Sequence, residues 1–418
     1  MIRHETCDAA VIGAGAAGLS AAAEIARHPY RTVVIDREEQ PGGILRQCIH
    51  NGFGLRYFKE ELTGPEYADR VAAAAENPNT GLKLGTTVSE IRRLPDGTFE
   101  LMLLSAAEGV TYLQTRAVFL GMGCRERNRG NLAIPGSRPA GVFTAGAAQR
   151  LLNIEGMLPG RSAVIVGSGD IGLIMARRLR WSGVEVKAVV EIMPYPSGLT
   201  RNIVQCLNDF DIPLHLEHGV VDIAGRERVQ YVDVAPLEGG IPQLDRQFRI
   251  DCDTVLFSVG LIPENELSAQ LGVELNPATG GAVVDANLQT SVPGVFAGGN
   301  VLHVHDLVDF VSEEAAGAGR AIAAYLGGPL ESDMNPVSVE SNLKYVIPNR
   351  FNRDRECTFS FRPLIVCDAA TLEAELNGRL IWKRKFNWVK PAEMLKVELA
   401  AEQLNESGTL VFRLREEA

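Results

Sequence analysis

The sequence lacks the cysteine patterns that form redox or metal sites. It contains seven cysteines in 418 residues, and no two of them form a CxxC pair or stand at a spacing typical of metal ligands. An odd number of dispersed cysteines is typical of a reducing compartment. No apolar run reaches the ~18 residues of a membrane span, and the first residues contain no apolar signal segment. These absences predict a cytoplasmic protein without a metal site and without direct membrane insertion.

Basic charge is also scarce. The chain has 41 Lys and Arg against 52 Asp and Glu, which gives a net charge of −11, whereas surfaces that bind nucleic acid or anionic membranes are basic. Hydrophobic residues make up 46% of the chain and charged residues 22%, which is ordinary for a globular enzyme. At ~150 residues per domain, the length predicts two or three domains. We therefore expect no nucleic-acid partner.

A glycine-rich turn near the start organises the chain. The apolar run Ala9–Ile12 and the alanine-rich helical pattern Leu19–Ala26 flank this turn. Its three glycines are Gly13, Gly15 and Gly18. In a dinucleotide-binding turn the first glycine permits the tight bend, the second lets the backbone approach a pyrophosphate, and the third lets the helix pack on the strand. The next apolar run, Thr32–Ile35, ends at Asp36, whose carboxylate is suited to accept from a ribose hydroxyl.

The same pattern recurs in the middle of the chain. The apolar strand Ser162–Val166 leads into a second turn and then a helix through Trp181. The glycines of this turn are Gly167, Gly169 and Gly172. The following strand, Val186–Val190, ends at Glu191, and an acidic residue there accepts from a free ribose 2′-hydroxyl, whereas a 2′-phosphate favours Arg or Lys. Glu191 therefore favours NAD over NADP, and the recurrence indicates a duplicated nucleotide-binding unit.

The other segments predict further helices and a β-rich C-terminal region. The helical patterns are Pro65–Glu76, Ala145–Asn153 and Leu307–Leu326. Pro329–Pro336 is interpreted as a linker. The strand-like runs that follow it are Thr358–Phe361, Leu364–Cys367, Leu380–Phe386, Met394–Leu399 and Thr409–Leu414.

Together these motifs resemble the flavoproteins with two dinucleotide-binding domains, the superfamily of the pyridine nucleotide-disulfide oxidoreductases. The resemblance covers about residues 7–327. It implies that the first turn binds FAD, the second binds NAD(P)H, and the segment GVFAGGN binds the flavin ribityl chain. The expected fold is α/β, with two Rossmann-like domains and a small β-rich C-terminal module. The FAD domain spans residues 1–125 and 260–330, the inserted NAD(P) domain 126–259, and the module 331–418.

The resemblance also implies which residues contact each cofactor. For FAD they are Gly13, Gly15, Ala16, Ala17, Gly18, Asp36, Arg37, Gly42, Gly43, Gly121, Gly123, Gly298, Gly299, Asn300, Leu307, Val308 and Asp309. For NADH they are Gly167, Gly169, Asp170, Ile171, Gly172 and Glu191. Val88 and Gly260 are further cofactor-binding candidates. Leu307–Asp309 would begin a helix beneath the flavin pyrimidine ring.

Three departures from the superfamily pattern bear on the mechanism. The redox disulfide is absent after Gly43, where only Cys48 remains, and at Gly141–Gln149, where the thioredoxin-reductase-like branch carries CxxC. Asn300 stands in place of an Asp at the ribityl position, and Ile174 in place of a Glu in the second motif. A disulfide reductase mechanism is therefore disfavoured.

Four segments are similar to a narrower group within the superfamily: GGILRQCIHNGFG, GCRERNRG, GVFTAGAAQR and GGNVLHVHDLVDFVSEE. This group comprises FAD/NAD oxidoreductases encoded beside a glycerol-3-phosphate-dehydrogenase-like flavoprotein and a small cysteine-rich protein. Electron-transfer subunits of opine and cyanide-forming amine dehydrogenases resemble it more distantly. The similarity implies an oligomeric protein that moves hydride between NADH and FAD and exchanges electrons with a partner subunit or acceptor.

Three residues are candidates for catalysis: Cys48, His303 and His305. The histidines follow the ribityl segment and either face the flavin edge as proton donors or are structural. Cys48 would be the thiolate of a single-cysteine NADH oxidase or CoA-disulfide-type reductase, which requires an accessible thiol of low pKa. In a third hypothesis the chain is a non-catalytic assembly subunit with structural FAD, and Ile174 marks the loss of hydride transfer from NADH.

Overall fold

The computed structural model describes residues 2–330 and 334–417. Contacts divide the chain into two compact units, residues 1–124 with 263–418 and residues 125–262. Each unit contains a parallel sheet, so the predicted α/β class with two Rossmann-like domains is confirmed. Among the helices of the described residues, none has the length and hydropathy of a membrane-spanning segment.

A seven-stranded sheet forms the centre of the first unit. Five of its strands are parallel, in the spatial order Thr80–Lys83, Thr32–Ile35, Arg3–Ile12, Gly109–Leu120 and Val295–Ala297. The hairpin of Thr86–Arg93 and Phe99–Ser105 extends the sheet in antiparallel pairing. Parallel strands in the centre of such a sheet are buried on both faces. Continuous apolar runs in the sequence are therefore suited to these positions.

Three helices share one apolar core with this sheet: Ala16–Ile25, Gly64–Ala75 and Val308–Gly327. The first and last of them are in close backbone contact, because a Cβ at Gly319 would lie 2.4 Å from the carbonyl oxygen of Ala21. The described residues of the unit also form four shorter helical segments: Gly43–Gln47, Glu266–Gln270, Gly299–Val301 and Ala401–Gln403.

Residues 334–417 build the β-rich part of the first unit around a separate apolar core. One sheet contains, in spatial order, Arg350–Asn352, Met334–Glu340, Leu410–Glu416, Cys367–Leu376 and Arg379–Val389. A smaller sheet contains Leu343–Ile347, Cys357–Pro363 and Leu395–Leu399.

Two sequence predictions in this region are wrong in detail. Met334–Pro336 begins a strand and is not part of a linker; residues 331–333 of the predicted linker lie outside the described residues. The predicted strand Leu364–Cys367 does not form at 364–366, and Cys367 begins the next strand. Leu364 and Val366 are 54% and 48% exposed. Their apolar side chains therefore lie on a surface connection, which an apolar pattern alone does not distinguish from a strand.

The second unit combines a parallel and an antiparallel sheet. The parallel sheet contains, in spatial order, Leu214–His215, Glu185–Val190, Ser162–Val166, Thr254–Phe257 and Val142–Thr144. The antiparallel sheet contains His218–Gly225, Val229–Glu238, Ile241–Pro242 and Phe248–Asp251.

The helical segments of the second unit are Arg129–Leu132, Ala145–Asn153, Asp170–Trp181, Thr200–Cys206, Asn208–Phe210 and Leu244–Arg246. Two short strands, Cys124–Glu126 and Leu261–Pro263, pair with each other where the chain passes from one unit to the other.

The contact between the first and last long helices yields a matched pair of substitutions. We expect Gly319→Ala to lower the free energy of unfolding by about 1–3 kcal/mol, because the added methyl group overlaps main chain that cannot move aside cheaply. Gly317→Ala, on the same helix, has its nearest neighbour 3.8 Å away and should raise stability by up to ~1 kcal/mol through helix propensity. Urea unfolding of both variants measures the difference, and equal effects would contradict the close helix contact.

Candidate flavin and nucleotide sites

The first glycine turn is closed on one side by backbone and open on the other. Gly13 has φ +103°, and a Cβ there would lie 2.4 Å from the carbonyl oxygen of Gly121. A Cβ at Gly18 would lie 1.7 Å from the carbonyl oxygen of Gly13, whereas one at Gly15 would meet nothing within 4 Å. The open side is beside the start of helix Ala16–Ile25, where unpaired N–H groups attract anions.

A second glycine pair borders this open side. Gly42 donates its N–H to the carbonyl oxygen of Ala14 at 2.7 Å. A Cβ at Gly43 would lie 3.1 Å from the Cα of Gly15. These contacts leave a backbone cradle that side chains at the same positions would fill, so the residues present fit the pyrophosphate of FAD.

Asp36 lies beside the same turn. Its Oδ2 accepts from Ala14 N at 2.6 Å and its Oδ1 from Glu38 N at 2.8 Å. A carboxylate has about four acceptor positions, so this half-buried group retains capacity for ribose hydroxyls. Thr86 N–H donates to the Asp36 carbonyl oxygen at 2.9 Å, which brings the start of the strand containing Val88 to Asp36. Arg37 is exposed.

The predicted ribityl segment also reaches the first turn. Gly299 has φ +74°, and a Cβ there would lie 2.8 Å from the Ala17 Cβ. Gly298 lies against Phe119, with 3.2 Å between an added Cβ and the ring. Gly121 N–H donates to the Ile12 carbonyl oxygen, so the two strand ends and this segment converge. Gly123 lies further along, where its carbonyl oxygen accepts from Glu264 N at 3.0 Å.

Asp309, in the first turn of helix Val308–Gly327, binds a neighbouring loop. Asp309 is buried, and its carboxylate accepts from Tyr57 N at 2.8 Å and from Gly54 N at 3.3 Å. The Asp309 side chain therefore holds the loop around residues 54–57. The backbone N–H groups of Leu307, Val308 and Asp309 stay candidates for flavin contact.

Both candidate histidines belong to a cluster that the sequence did not reveal in full. His303 Nε2 lies 2.8 Å and His305 Nε2 3.4 Å from Oε2 of Glu314. The other oxygen of Glu314 accepts from Gly299 N at 2.7 Å. Tyr345 OH is 3.2 Å from His303 Nδ1. Glu314 and Tyr345 were missed because they follow His303 by 11 and 42 residues, and no local motif marks them.

Burial and charge determine the protonation of this cluster. Burial, together with the neighbouring His305, lowers the pKa of His303 to about 4. Burial would raise the pKa of Glu314, but the charges of His303 and His305 oppose it and hold this pKa well below its usual range. Burial thus disfavours the charged form of His303, while the contacts with both imidazoles favour the carboxylate form of Glu314.

Cys48 does not have the environment that the single-cysteine hypothesis requires. The thiol is 5% exposed, follows the short helix Gly43–Gln47, and donates to the Ile44 carbonyl oxygen at 3.3 Å. Burial raises its pKa to about 12. A buried neutral thiol is neither nucleophilic nor accessible, so the structure is at odds with a catalytic Cys48.

The second glycine turn repeats the backbone contact of the first. Gly167 has φ +89°, and a Cβ there would lie 2.2 Å from the Ser258 carbonyl oxygen. Gly169, however, has the Ser258 hydroxyl 3.1 Å from an added Cβ, and this hydroxyl accepts from Gly172 N at 3.0 Å. The second turn is therefore less open than the first, and one of its N–H donors is already paired. Gly260, at φ +97°, lies just beyond Ser258.

Both acidic residues of the second site are bound by their own chain. Glu191 is 4% exposed, and its Oε2 accepts from Ser168 N, Ser168 Oγ and Ser197 Oγ at 2.9, 2.5 and 2.8 Å. Met193 N donates to Oε1 at 3.0 Å. Only Oε1 retains capacity for a ribose hydroxyl.

Asp170 begins the helix that follows the turn. Its Oδ1 accepts from Leu199 N at 2.8 Å and Asn202 Nδ2 at 2.6 Å. Ile171 is half-buried and Ile174 is buried in this helix. The Asp170 carboxylate therefore lies at the start of the helix, where the resemblance implies that the negatively charged pyrophosphate binds.

These two units, each with a glycine turn at the end of a parallel strand and a carboxylate on the next strand, define a dinucleotide-binding oxidoreductase fold. The family model for the pyridine nucleotide-disulphide oxidoreductases matches residues 7–321. The chain belongs to this family, and it is an FAD-dependent oxidoreductase with a pyridine nucleotide partner.

Known proteins similar to the chain include enzyme subunits. The HcnB component of hydrogen cyanide synthase from Pseudomonas protegens is 28% identical over 317 residues, which is 70% of this chain and 65% of HcnB. A subunit of the opine oxidase from Rhizobium meliloti is 25% identical over 378 residues, 86% of this chain and 77% of the relative. The chain thus spans about two thirds of the length of HcnB.

A solved structure shows the same fold. Thioredoxin reductase of T. acidophilum superposes with a TM-score of 0.63 at 24% identity, covering 77% of this chain and 99% of the reductase.

The environment of Cys48 predicts its reactivity. In the FAD-loaded protein at pH 8, we expect iodoacetamide to modify the half-buried Cys367 at least ten times faster than Cys48, because only accessible thiolates react. Peptide mass spectrometry over a time course measures both rates, with urea-unfolded protein as the reference for full reactivity. Preferential modification of Cys48 would contradict its buried, protonated state.

Proposed function

We propose that the chain transfers hydride between NAD(H) and FAD and exchanges electrons with a partner subunit, within a glycerol-3-phosphate- or amine-dehydrogenase-like complex. The observation that carries this proposal is the pair of glycine turns, each with its carboxylate, in two separate units. The relatives named as subunits of hydrogen cyanide synthase and opine oxidase support a role within an assembly.

FAD would supply the redox chemistry, and the chain would supply binding, orientation and electrostatics. The cradle of Gly13, Gly15 and Gly43 would hold the pyrophosphate, and Asp36 the ribose. Backbone N–H groups at the start of helix Val308–Gly327 would stabilise negative charge on the reduced flavin ring. Asn300 is positioned by its contact with the His305 backbone.

NADH is the proposed nucleotide. Glu191 presents a buried carboxylate that would repel a 2′-phosphate, while its Oε1 can still accept from a 2′-hydroxyl. Ile192 and Met193, which follow Glu191, are 62% and 38% exposed and supply an apolar surface for an adenine ring.

The assembly-subunit hypothesis also has a specific observation in its favour. The contacts of Asp170 with Leu199 and Asn202, and of Ser258 with Gly172, occupy groups that a nucleotide in the second site would use. In that case FAD would be structural and the second unit would not deliver hydride. The single-cysteine hypothesis has no such support, because Cys48 is buried.

The deciding experiment is an anaerobic titration of the FAD-loaded protein with NADH, and with NADPH in parallel, while flavin absorbance is recorded. Bleaching by NADH at stoichiometric amounts supports hydride transfer. A flavin that stays oxidised with NADH but is reduced by dithionite rejects the proposal and favours the assembly-subunit hypothesis. Cys48→Ser should leave the extent of flavin reduction unchanged. If the flavin of this variant were not reduced by NADH, the single-cysteine hypothesis would be restored.

The nucleotide preference rests on Glu191. We expect Glu191→Gln to reduce the preference for NADH over NADPH about tenfold, because it removes the repulsion of a 2′-phosphate while keeping a hydrogen-bonding group, and hydrogen bonds to charged groups contribute roughly 1.5–3 kcal/mol. Glu185→Gln, at an exposed residue of the strand that precedes Glu191, is the matched control. The ratio of apparent Kd values for the two nucleotides is the readout, and an unchanged ratio would show that Glu191 does not select the nucleotide.

A further inference from the structure

Three metal-ligating side chains converge in the buried interior of the first unit. They are His303, His305 and Glu314, here called the His–Glu cluster, and their Nε2, Nε2 and carboxylate atoms all lie within 4.8 Å of one another. The side chains are 0, 2 and 11% exposed. The function proposed above uses no metal, so the cluster requires its own explanation.

The orientation of the His305 ring follows from its neighbour Asn300. The His305 backbone N–H donates to Asn300 Oδ1 at 3.0 Å, which fixes the amide with its oxygen toward His305. His305 Nδ1 lies 3.2 Å from the same oxygen, so Nδ1 must carry a hydrogen to make this contact. His305 Nε2, on the other side of the ring, then faces Glu314 Oε2 at 3.4 Å.

The ligand atoms are also held in orientation from outside. Each histidine uses Nδ1 for an outward hydrogen bond, His303 with Tyr345 OH and His305 with Asn300, and each turns Nε2 inward. Glu314 is fixed through its other oxygen by Gly299 N–H at 2.7 Å. Outer hydrogen bonds of this kind orient the ligands of metal sites.

The inward atoms have the spacing of ligands around one small cation. His305 Nε2 and Glu314 Oε2 lie 3.4 Å apart. Two ligands at 2.0–2.1 Å from a tetrahedral ion are separated by roughly 3.3 Å. The shorter contact of 2.8 Å between His303 Nε2 and Glu314 Oε2 would open by about half an ångström to match.

We propose that the His–Glu cluster binds one divalent transition-metal ion of the zinc class. Two imidazoles and one carboxylate are a ligand set typical of Zn²⁺ and other borderline ions, whereas Mg²⁺ and Ca²⁺ prefer oxygen ligands. Three protein ligands leave a fourth position for water. The ion would connect the segment at Gly299 to helix Val308–Gly327 through Glu314. The site is independent of whether the protein transfers hydride.

The test is a zinc titration of FAD-loaded protein that has been treated with dipicolinate and desalted. Competition with a chromophoric indicator gives stoichiometry and affinity without any NADH. We expect one Zn²⁺ per chain, and His305→Ala should weaken binding by more than the ~100-fold that loss of an outer hydrogen bond costs. His28→Ala, an exposed histidine of the same unit, should bind as the unsubstituted protein does.

Two results would overturn the site. One is the absence of stoichiometric zinc binding, which would mean that a proton balances Glu314. The other is equal affinity in His305→Ala. If that variant does not fold, zinc K-edge absorption of the unsubstituted protein with one equivalent of Zn²⁺ identifies the ligands of the ion. A shell with two imidazoles supports the cluster, and sulfur ligands at ~2.3 Å would place the zinc elsewhere.

Discussion

Both nucleotide-binding units depend on direct contact between main chains, which is possible only where no Cβ intervenes. In the first unit this contact joins Gly13 to Gly121, and in the second it joins Gly167 to Ser258. The contact sets the bend after the strand and aims the following helix at the open edge of the sheet. Any side chain at Gly13 or Gly167 would separate strands whose pairing forms the centre of the unit.

Glu314 is a second point on which several elements depend. Its two oxygens bind the Gly299 N–H and the two histidines, so one side chain joins the predicted ribityl segment to the last long helix. Burying a carboxylate costs several kcal/mol unless partners satisfy it, and here each oxygen has at least one. Removing Glu314 would therefore disturb the segment at Gly299 as well as the histidines.

The sequence predicted most of the parallel architecture because glycine turns and apolar runs are local signals. Thr32–Ile35, Ser162–Val166 and Ala145–Asn153 have the predicted bounds. Only the two histidines of the His–Glu cluster could be proposed from the sequence, because Glu314 lies in no recognisable motif and contacts His303 through tertiary packing. Burial of Cys48 was equally hidden, since its neighbours Ile44 and Ile49 are exposed and give no pattern of a buried segment.

The two glycine turns have the same backbone contact but differ in the groups that would face a ligand. At the first turn Gly15 faces open space, and Asp36 keeps acceptor capacity. At the second, Asp170 places a carboxylate at the helix start and Ser258 pairs with a donor N–H. The contact that forms the fold is thus common to both units, while a few side chains set what each one binds. Since fold alone does not define function, the role of the second unit depends on whether a nucleotide can displace the contacts of Asp170 with Leu199 and Asn202.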